Sequence, residues 1–186
     1  MNIPVDISGV TLRTERLILR PWKQSDLEDL YEYASVDGVG QMAGWKPHAD
    51  RAESQMILDM FIEGKKTFAL EENGRVIGSL GLEKYDEERF PELAEQRCRE
   101  IGYVIAKDRW GNGLAAEAVR CVLRYLFEDL QADAVLCGHF LSNKQSARVQ
   151  EKCGFRHYAY GQYRTLPGTV EDDEMNILFR SDYKAE

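Results

Sequence analysis

One stretch of the sequence, Glu100 to Glu117, constrains the fold more than any other. It begins with a run of β-branched and aromatic residues, Ile101 to Ile105, which is typical of a strand. A polar turn with Gly111 and Gly113 follows, and the apolar spacing from Ala115 to Leu130 then predicts a helix. A strand, a glycine-containing loop and a helix in this order are typical of an anion-binding site.

The start of such a helix attracts anions for a physical reason. Its first backbone N–H groups have no acceptor within the helix, and the helix dipole places partial positive charge at the same end. A phosphate accepts several hydrogen bonds there if no side chain blocks its approach, and Gly111 and Gly113 have none. Leu114 and Ala115 stand where a P-loop has its Lys and Ser or Thr, which argues against a P-loop. Only two glycines are present where a dinucleotide fingerprint has three, which argues against that motif as well.

The loop resembles that of the GCN5-related N-acetyltransferase superfamily, which reads Gln/Arg-x-x-Gly-x-Gly/Ala and binds the pyrophosphate of acetyl-CoA. Gly113 and Ala115 match its last two positions, whereas Trp110 stands first, where most members have Gln or Arg. The variant Trp-Gly-x-Gly-x-Ala is similar to the branch of ribosomal-protein alanine and serine N-terminal acetyltransferases. Further matches to this branch are Thr14 to Pro21, Asn143-x-x-Ser146, and Glu151 to Phe155.

The resemblance implies a fold and a reaction. It implies a single α/β domain over residues 1–186, with a mixed, mostly antiparallel sheet, a splayed pair of parallel strands and flanking helices. The implied enzyme transfers an acetyl group from acetyl-CoA, without a metal, to a primary amine by direct attack in a ternary complex. The acceptor is a protein N-terminal α-amine or a small-molecule amine. Because Trp110 and Gln150 depart from the family pattern, a catalytically inactive acyl-CoA-binding sensor or scaffold remains an alternative, and a nucleotide-binding protein is a third hypothesis.

The family also implies which residues bind the cofactor. Backbone N–H groups around the glycine loop would bind the pyrophosphate, and the central strand would pair with the pantetheine arm. Val104 or Ile105 would donate its N–H to the acetyl carbonyl, and Asn143 would present its amide to pantetheine while capping its helix. The complete set of expected cofactor-binding residues is Val104, Ile105, Trp110, Gly111, Asn112, Gly113, Leu114, Ala115, Ala116, Asn143 and Ser146.

A base is needed because an amine must lose a proton before it attacks; a lysine amine has a pKa near ~10.4 and a peptide α-amine near ~8. Glu100 begins the central strand, where several family members have a glutamate base, so it is the predicted base or proton relay. A surface strand glutamate is the alternative. Other candidates are Glu83, Glu171, Asp172 and Asp173, of which the last three could instead hold a cationic acceptor.

The departing thiolate needs a partner too. Many family members have a tyrosine seven residues after Asn143, but this chain has Gln150 there, which cannot donate a proton in that way. Ser146 matches the serine that the ribosomal-protein branch offers to the CoA sulfur, so we predict that it donates a hydrogen bond to the sulfur. The alternative is a buried helical serine that bonds to the preceding turn.

The acceptor side is predicted from the first two helices and their loop, which flank the acceptor pocket in this family. Trp45 and His48 are therefore the candidate substrate-binding residues; the alternatives are a packed tryptophan and a surface histidine. Asp50 is predicted to cap the second helix, which extends to Glu63. The helical spacing of Met56, Ile57, Met60 and Phe61 predicts the buried face of that helix.

The remaining elements follow from periodicity and turn residues. Ser25 and Glu28 form a capping-box pattern for a first helix that extends to Ala34. Residues 85–99 lack an apolar period and are predicted to form an exposed loop. The predicted strands are Thr11 to Arg20, Thr67 to Leu70, Val76 to Leu82, Ala134 to Phe140, Phe155 to Tyr163 and Glu174 to Phe179, with a hairpin at Asn73-Gly74, a helix from Asn143 to Cys153 and a loop from Arg164 to Asp173.

Composition limits the partners and the compartment. The formal charge is −8 and no block of Lys and Arg occurs, which argues against nucleic acid. The acidity is compatible with a cationic acceptor, or it serves only solubility. No apolar run approaches the ~18 residues of a membrane span. The four scattered cysteines argue against disulfides and a zinc site, and the N-terminus has no signal pattern, so we expect a cytoplasmic protein. The predicted edge strands near the C-terminus could support a dimer, so we expect a monomer or a homodimer.

Overall fold

The computed structural model describes residues 1–185, and its strands form one mixed sheet of eight strands. The strand order is β1-β2-β3-β4-β5-β6-β8-β7, and only β5 and β6 are parallel. This confirms the predicted fold class. The strands are β1 Leu12–Arg13, β2 Ile18–Pro21, β3 Thr67–Glu72, β4 Arg75–Glu83, β5 Cys98–Ile105, β6 Ala134–Phe140, β7 Arg156–Arg164 and β8 Val170–Phe179.

Within the described residues, four α-helices flank this sheet. They are α1 Leu27–Ala34, α2 Arg51–Gly64, α3 Leu114–Arg124 and α4 Lys144–Lys152, and α3 continues into a π-helical turn, Tyr125–Asp129. α1 packs on α2 and on β4, whereas α3 packs on β5 and α4. The buried face of α3 explains why its apolar spacing predicted it well.

The parallel pair separates along its length. β5 and β6 are paired only at Cys98↔Ala134, Arg99↔Val135 and Glu100↔Leu136. Beyond these residues β5 stays paired with β4 as far as Ile105, and β6 stays paired with β8 as far as Phe140. The two strands therefore diverge and leave an opening between them, which we call the splay.

Two predicted hairpins are present. Asn73 and Gly74 have φ values of 51° and 80°, the left-handed geometry of a tight turn between β3 and β4. β7 and β8 pair antiparallel, as expected, but β8 already begins at Val170. The predicted loop from Arg164 to Asp173 was therefore too long, because Val170 to Asp173 continue the ladder with β7.

The prediction of one strand over Thr11 to Arg20 was wrong. The segment folds back on itself, so that Leu12 pairs with Leu19, and Thr14 N–H donates to Leu17 O at 2.9 Å. The turn is held from outside, because the Glu117 carboxylate of α3 accepts hydrogen bonds from the Thr14 hydroxyl and the Arg16 backbone N–H. Alternating apolar residues could not reveal this distant contact.

The start of α1 also differs from the prediction. The cap is not Ser25, which is exposed; instead the Asp26 carboxylate accepts a hydrogen bond from Lys23 N–H at 2.8 Å. Asp26 also forms an ion pair with Arg20 at 2.8 Å. This buried pair ties the first turn of the helical segment to β2.

The face that α2 turns towards the core is rotated from the predicted one. Leu58 and Ser54 are completely buried, whereas Met56 and Met60 are 63% and 61% exposed. Ile57 and Phe61 are only partly buried. The prediction that all four apolar residues pack in the core was therefore wrong for both methionines. Asp50 does cap the helix, since its side chain accepts from Glu53 N–H at 2.9 Å.

The segment from residue 85 to residue 99 is not the exposed loop that was predicted. Tyr85, Phe90 and Leu93 are buried and pack with Met175 and Ile177 of β8 in a second hydrophobic cluster. Their spacing follows neither a helical nor a strand period, because the segment before β5 consists of turns and one short 3-10 helix, Pro91–Leu93. The sequence therefore carried no periodic signal for this packing.

Candidate active site

The glycine loop leads directly into α3. Gly111 and Gly113 both have φ of 79°, a conformation that side chains other than glycine rarely adopt. A Cβ atom at Gly111 would meet nothing within 4 Å, so the outer side of the loop is open. The first bond of α3 runs from Glu117 N–H to Gly113 O at 3.1 Å. The N–H groups of Leu114, Ala115 and Ala116 precede this bond and have no intrahelical acceptor.

Arg16 braces this loop from the β1–β2 turn. Its guanidinium donates to Asn112 O at 2.9 Å and to Glu117 Oε2 at 2.8 Å, and it lies 3.7 Å from the position of a Gly113 Cβ. Burial alone would raise the pKa of Glu117, but bonds from Thr14 and Arg16 lower it. The sequence analysis missed Arg16 as a site residue, although it lies in a segment that matched the family.

Trp110 turns inward instead of towards a ligand. Its indole N–H donates to Ile105 O at 2.8 Å, and the ring packs against the main core. The side chain therefore joins the end of β5 to the start of the loop. The backbone N–H of Trp110 donates to Lys107 O at 3.2 Å, so both N–H groups of this residue are already bonded within the protein, and the N–H groups from Gly111 onward are the better candidates for a phosphate.

The ladder between β4 and β5 determines which backbone groups face the splay. Ala106 N–H donates to Ile77 O of β4 at 2.7 Å, just beyond the pair Ser79↔Val104. Because successive residues of a strand direct their N–H and C=O groups to opposite sides, the groups of Val104 face β4. Those of Tyr103 and Ile105 face the splay.

A polar cluster connects β5 to α4. Asn143 caps α4 by accepting from Ser146 N–H at 3.0 Å. The Ser146 hydroxyl lies 2.8 Å from the Tyr103 hydroxyl and 3.2 Å from Gln150 Nε2. Burial raises the pKa of Tyr103, which keeps its hydroxyl protonated at neutral pH. The sequence analysis did not identify Tyr103 as a side chain of the site, since only the fold brings it to Ser146.

Glu100 lies on the other face of β5, because residues three apart on a strand point to opposite faces. Burial raises the pKa of its carboxyl to about 7; Arg89 lowers it, and Glu83 and Asp173 raise it further. Asp173 is itself buried and paired with Arg89 at 2.9 Å. A carboxyl group that titrates near neutral pH is well suited to accept a proton there.

The other acidic candidates differ in their surroundings. Glu83 stands opposite Glu100 in the ladder and is paired with Lys66. Asp172 is exposed and accepts a hydrogen bond from Gln162, and Glu171 is partly buried.

Trp45 and His48 lie together in a packed cluster. Their rings are 5.3 Å apart, and the Trp45 ring fills the space beside Gly40, where a Cβ would approach it to 2.2 Å. His48 is 8% exposed, so the alternative of a surface histidine was wrong. Its Nδ1 lies 2.8 Å from Ser54 Oγ, and burial lowers its pKa.

The loop that carries Trp45 reaches the mouth of the splay. Gly44 O accepts from Leu166 N–H at 2.9 Å, and Met42 O accepts from the Asn143 side chain at 3.4 Å. Phe140, at the end of β6, packs against Tyr163 at 5.7 Å. Three separate segments thus surround the open end of β5 and β6.

Comparison with known proteins identifies this arrangement. A family model described as an acetyltransferase (GNAT) domain matches residues 16–156. The chain belongs to this family. The uncharacterized N-acetyltransferase YoaA of Bacillus subtilis is 32% identical over 178 residues, which cover 91% of this chain and 96% of YoaA. The family resemblance drawn from the motifs is confirmed, and the chain is a GNAT-type N-acetyltransferase.

Solved structures agree with the fold. An acetyltransferase (GNAT family) from Bacillus anthracis has a TM-score of 0.79 at 22% identity, covering 92% of this chain and 99% of the other. A spermidine N-acetyltransferase from Vibrio cholerae, in complex with CoA and spermine, has a TM-score of 0.73 at 19% identity, covering 91% and 99%. The family uses acetyl-CoA as its acetyl donor.

The helices and the acidic, histidine and cysteine side chains of residues 1–185 bear on membranes and metals. None of the helices there is long and apolar enough to cross a bilayer. Within the same residues, no cluster of three or more His, Cys, Asp or Glu side chains could hold a metal ion. The four cysteines are buried, and none of them forms a disulfide within these residues.

Proposed function

We propose that this chain acetylates a primary amine, either a protein N-terminal α-amine or a small-molecule amine, by direct attack in a ternary complex with acetyl-CoA. The observation that carries the proposal is the splay, which has the open N-terminus of α3 beside it. Glu100 and Ser146 lie on opposite faces of the sheet at this opening. Such an arrangement lets the acetyl donor and the amine approach from different sides.

The glycine loop fits the pyrophosphate of acetyl-CoA. The N–H groups from Gly111 to Ala116 would donate to it. The first N–H groups of α3 have no acceptors within the helix, and the loop is open above Gly111. Arg16 adds positive charge at the same place. The amide of Asn143 would meet the pantetheine arm in the splay.

The acetyl carbonyl requires a donor from β5. Val104 N–H faces β4, so we assign this role to Ile105 N–H, which faces the splay. A backbone donor that is fixed before the reaction stabilises the developing oxyanion without reorganisation. The hydrogen bond from the Trp110 indole to Ile105 O holds the end of this strand in place.

Glu100 is the proposed base. A carboxyl with a pKa of about 7 is largely ionised in slightly alkaline solution and still basic enough to accept a proton from the acceptor's ammonium group, directly or through water, so that the neutral amine can attack. Its neighbours Glu83 and Asp173 would favour a cationic acceptor on this face. Trp45 and His48 are the proposed side chains on the acceptor side.

Direct attack is supported by the state of the cysteines. Burial raises the pKa of Cys98 to about 11 and that of Cys137 well above its ordinary value. A protonated thiol is a poor nucleophile, so an acetyl-cysteine intermediate is not favoured. The Ser146 hydroxyl would donate a hydrogen bond to the departing CoA thiolate.

A thiol-release assay tests the proposal. Wild type and Ser146→Ala are incubated with acetyl-CoA and a panel of peptides with free N-termini, polyamines and aminoglycosides. We expect turnover with one acceptor class and a drop of at least ~10-fold in kcat for Ser146→Ala, or ~1.4 kcal/mol of transition-state stabilisation. Ser25→Ala, which alters an exposed serine, is the matched control and keeps wild-type turnover. Saturable acetyl-CoA binding without turnover on any amine would favour the sensor instead.

A further inference from the structure

We propose that Tyr103 and Gln150 are positioning residues that together orient the Ser146 hydroxyl towards the CoA sulfur. The inference rests on the proposed function, in which Ser146 meets the departing thiolate. Tyr103 lies on β5 and Gln150 on α4. Gln150 stands at the position where many family members have a tyrosine. Neither side chain transfers a proton itself.

The orientation of the Gln150 amide is determined by its neighbours. This side chain is completely buried. Gly138 O can only accept, so the atom 3.1 Å away must be Nε2. Oε1 then accepts from Asn176 Nδ2 at 2.8 Å and faces His139 Nδ1 at 3.2 Å. The second N–H of Nε2 is left to donate to Ser146 Oγ at 3.2 Å.

The Ser146 hydroxyl therefore has little freedom. A serine hydroxyl has one proton to donate and two lone pairs that accept. Gln150 occupies one lone pair, and the Tyr103 hydroxyl, 2.8 Å away, is positioned to occupy the other. The Tyr103 proton has two acceptors within reach, Ser146 Oγ at 2.8 Å and Ser146 O at 3.3 Å. Because a phenol is a stronger donor than an aliphatic alcohol and Oγ is the nearer acceptor, we assign Tyr103 as the donor and Ser146 Oγ as the acceptor. The Ser146 proton is then free to point elsewhere.

The direction left for this proton is set by the strands. Tyr103 lies on β5 beyond its last residue paired with β6, Glu100, and Gly138 lies on β6 beyond its last residue paired with β5, Leu136. Ser146 is bonded to Tyr103 directly and is linked to Gly138 through Gln150, so the hydroxyl is connected to both strands where they diverge. With both lone pairs occupied from the protein side, its O–H bond is directed into the opening.

The network behind Gln150 holds it in place without conducting protons. His139 donates its Nδ1–H to Gln150 Oε1, and its Nε2 lies 3.6 Å from Glu174 Oε2. Glu174 also meets the exposed His157 at 2.9 Å. A side-chain amide does not pass protons on, so this chain of groups ends at Gln150. Its role is therefore to position Ser146.

The atoms of the step balance without a further reagent. The neutral amine nitrogen forms a bond to the acetyl carbonyl carbon. When the C–S bond then breaks, the sulfur keeps the electron pair and leaves as a thiolate. Ser146 donates a hydrogen bond to it and keeps its own proton. The proton lost by the amine goes to the base, and the thiolate is protonated by solvent after release.

Kinetics and a spectroscopic titration test the inference together. In Tyr103→Phe we expect kcat to fall about 10-fold with an unchanged KM for acetyl-CoA. The pKa of bound CoA thiol, followed by the ultraviolet absorbance of its thiolate, should be lowered in wild type and return towards about 8.5 in Tyr103→Phe. Gln150→Met, an apolar residue of similar length, should act in the same direction. Tyr125→Phe is the matched control, since Tyr125 is buried against Phe68 and should leave both readouts unchanged.

A double mutant separates the inference from a merely structural role. If Tyr103 acts through Ser146, Tyr103→Phe should have no further effect on kcat in a Ser146→Ala background. Additive losses, or a bound thiol pKa that is the same in wild type and Tyr103→Phe, would overturn the inference. Wild-type protein that lowers the thiol pKa of bound CoA but acetylates no amine would contradict the proposed function and still support the hydroxyl arrangement. Wild-type protein that binds no CoA would overturn both.

Discussion

Glu83 of β4 and Glu100 of β5 stand directly opposite each other in the antiparallel ladder. Opposite residues of two neighbouring strands share a face, so two carboxyl groups meet beside the splay. The negative charge of Glu83 is partly compensated by its ion pair with Lys66. Burial is the main cause of the raised pKa of Glu100, and the charge of Glu83 adds to it.

The first prediction concerns the pH dependence of catalysis. Because Glu100 must be ionised to accept a proton, kcat/KM should rise with pH through an apparent pKa near 7. Glu83→Gln removes a like charge and should move this rise of kcat/KM to lower pH. Glu100→Gln should abolish the rise and lower kcat by at least ~10-fold. Glu28→Gln, an exposed glutamate paired with Arg51, is the matched control. If kcat/KM of Glu100→Gln still rises with pH through the same apparent pKa, another group is the base.

The second prediction concerns stability and the same carboxyl. Its pKa is about 7 in the folded protein against 4.5 in a free side chain, so the folded state binds more protons between these pH values. Stability contributed by this group is therefore present at low pH and is lost as pH rises from about 4.5 to 7. Glu100→Gln should remove this part of the decline. Thermal unfolding of both proteins across the range measures it, and parallel curves would contradict the raised pKa.

The third prediction concerns the brace on the glycine loop. Arg16→Met removes the bonds to Asn112 O and Glu117 but keeps an apolar stem of similar length. We expect the KM for acetyl-CoA to rise about 5-fold with kcat nearly unchanged, since exposed charged contacts typically contribute up to ~1 kcal/mol. Arg51→Met, which breaks an exposed pair elsewhere, should leave KM unchanged. A loss confined to kcat would argue against a role in cofactor binding.

The fourth prediction concerns α2. Leu58 is completely buried and Met56 is largely exposed, although they lie only two positions apart in the sequence. Leu58→Ala should therefore destabilise the protein by about 2–5 kcal/mol. Met56→Ala should change the free energy of unfolding by no more than ~0.5 kcal/mol. Urea unfolding of both variants measures the difference, and similar costs for the two would show that the helix is oriented as its sequence pattern first indicated.

The extent to which the fold could be predicted depends on whether the signal was local. The β3–β4 hairpin, α3 and α4 were found because Asn73-Gly74, the apolar period of α3 and the Asn143 cap act within a few residues. The hairpin within Thr11 to Arg20 was missed because its turn is held by Glu117, about a hundred residues away in the sequence. The rotation of α2 was missed because Met56 and Met60 fit a helical stripe as well as Leu58 does.

The same distinction between local and distant signals applies to the site. The glycine loop and Ser146 could be proposed from short motifs, whereas the Tyr103 hydroxyl reaches Ser146 only because β5 and α4 meet in the fold. The orientation of Val104 and Ile105 depends on the ladder with β4, which no strand pattern contains. The acceptor, the oligomeric state and the cytoplasmic location stay predictions, since no local motif encodes them.

The most direct test of the account is mass analysis of both the protein and the acceptor after reaction with acetyl-CoA. Samples are taken during the first turnover and at steady state, with the acceptor that gives the fastest thiol release. Direct transfer predicts one acetyl group on the acceptor amine for each thiol released, and no acetylated form of the protein at any time. An acetylated cysteine that forms and decays at the rate of turnover, or thiol release without an acetylated amine, would contradict the account.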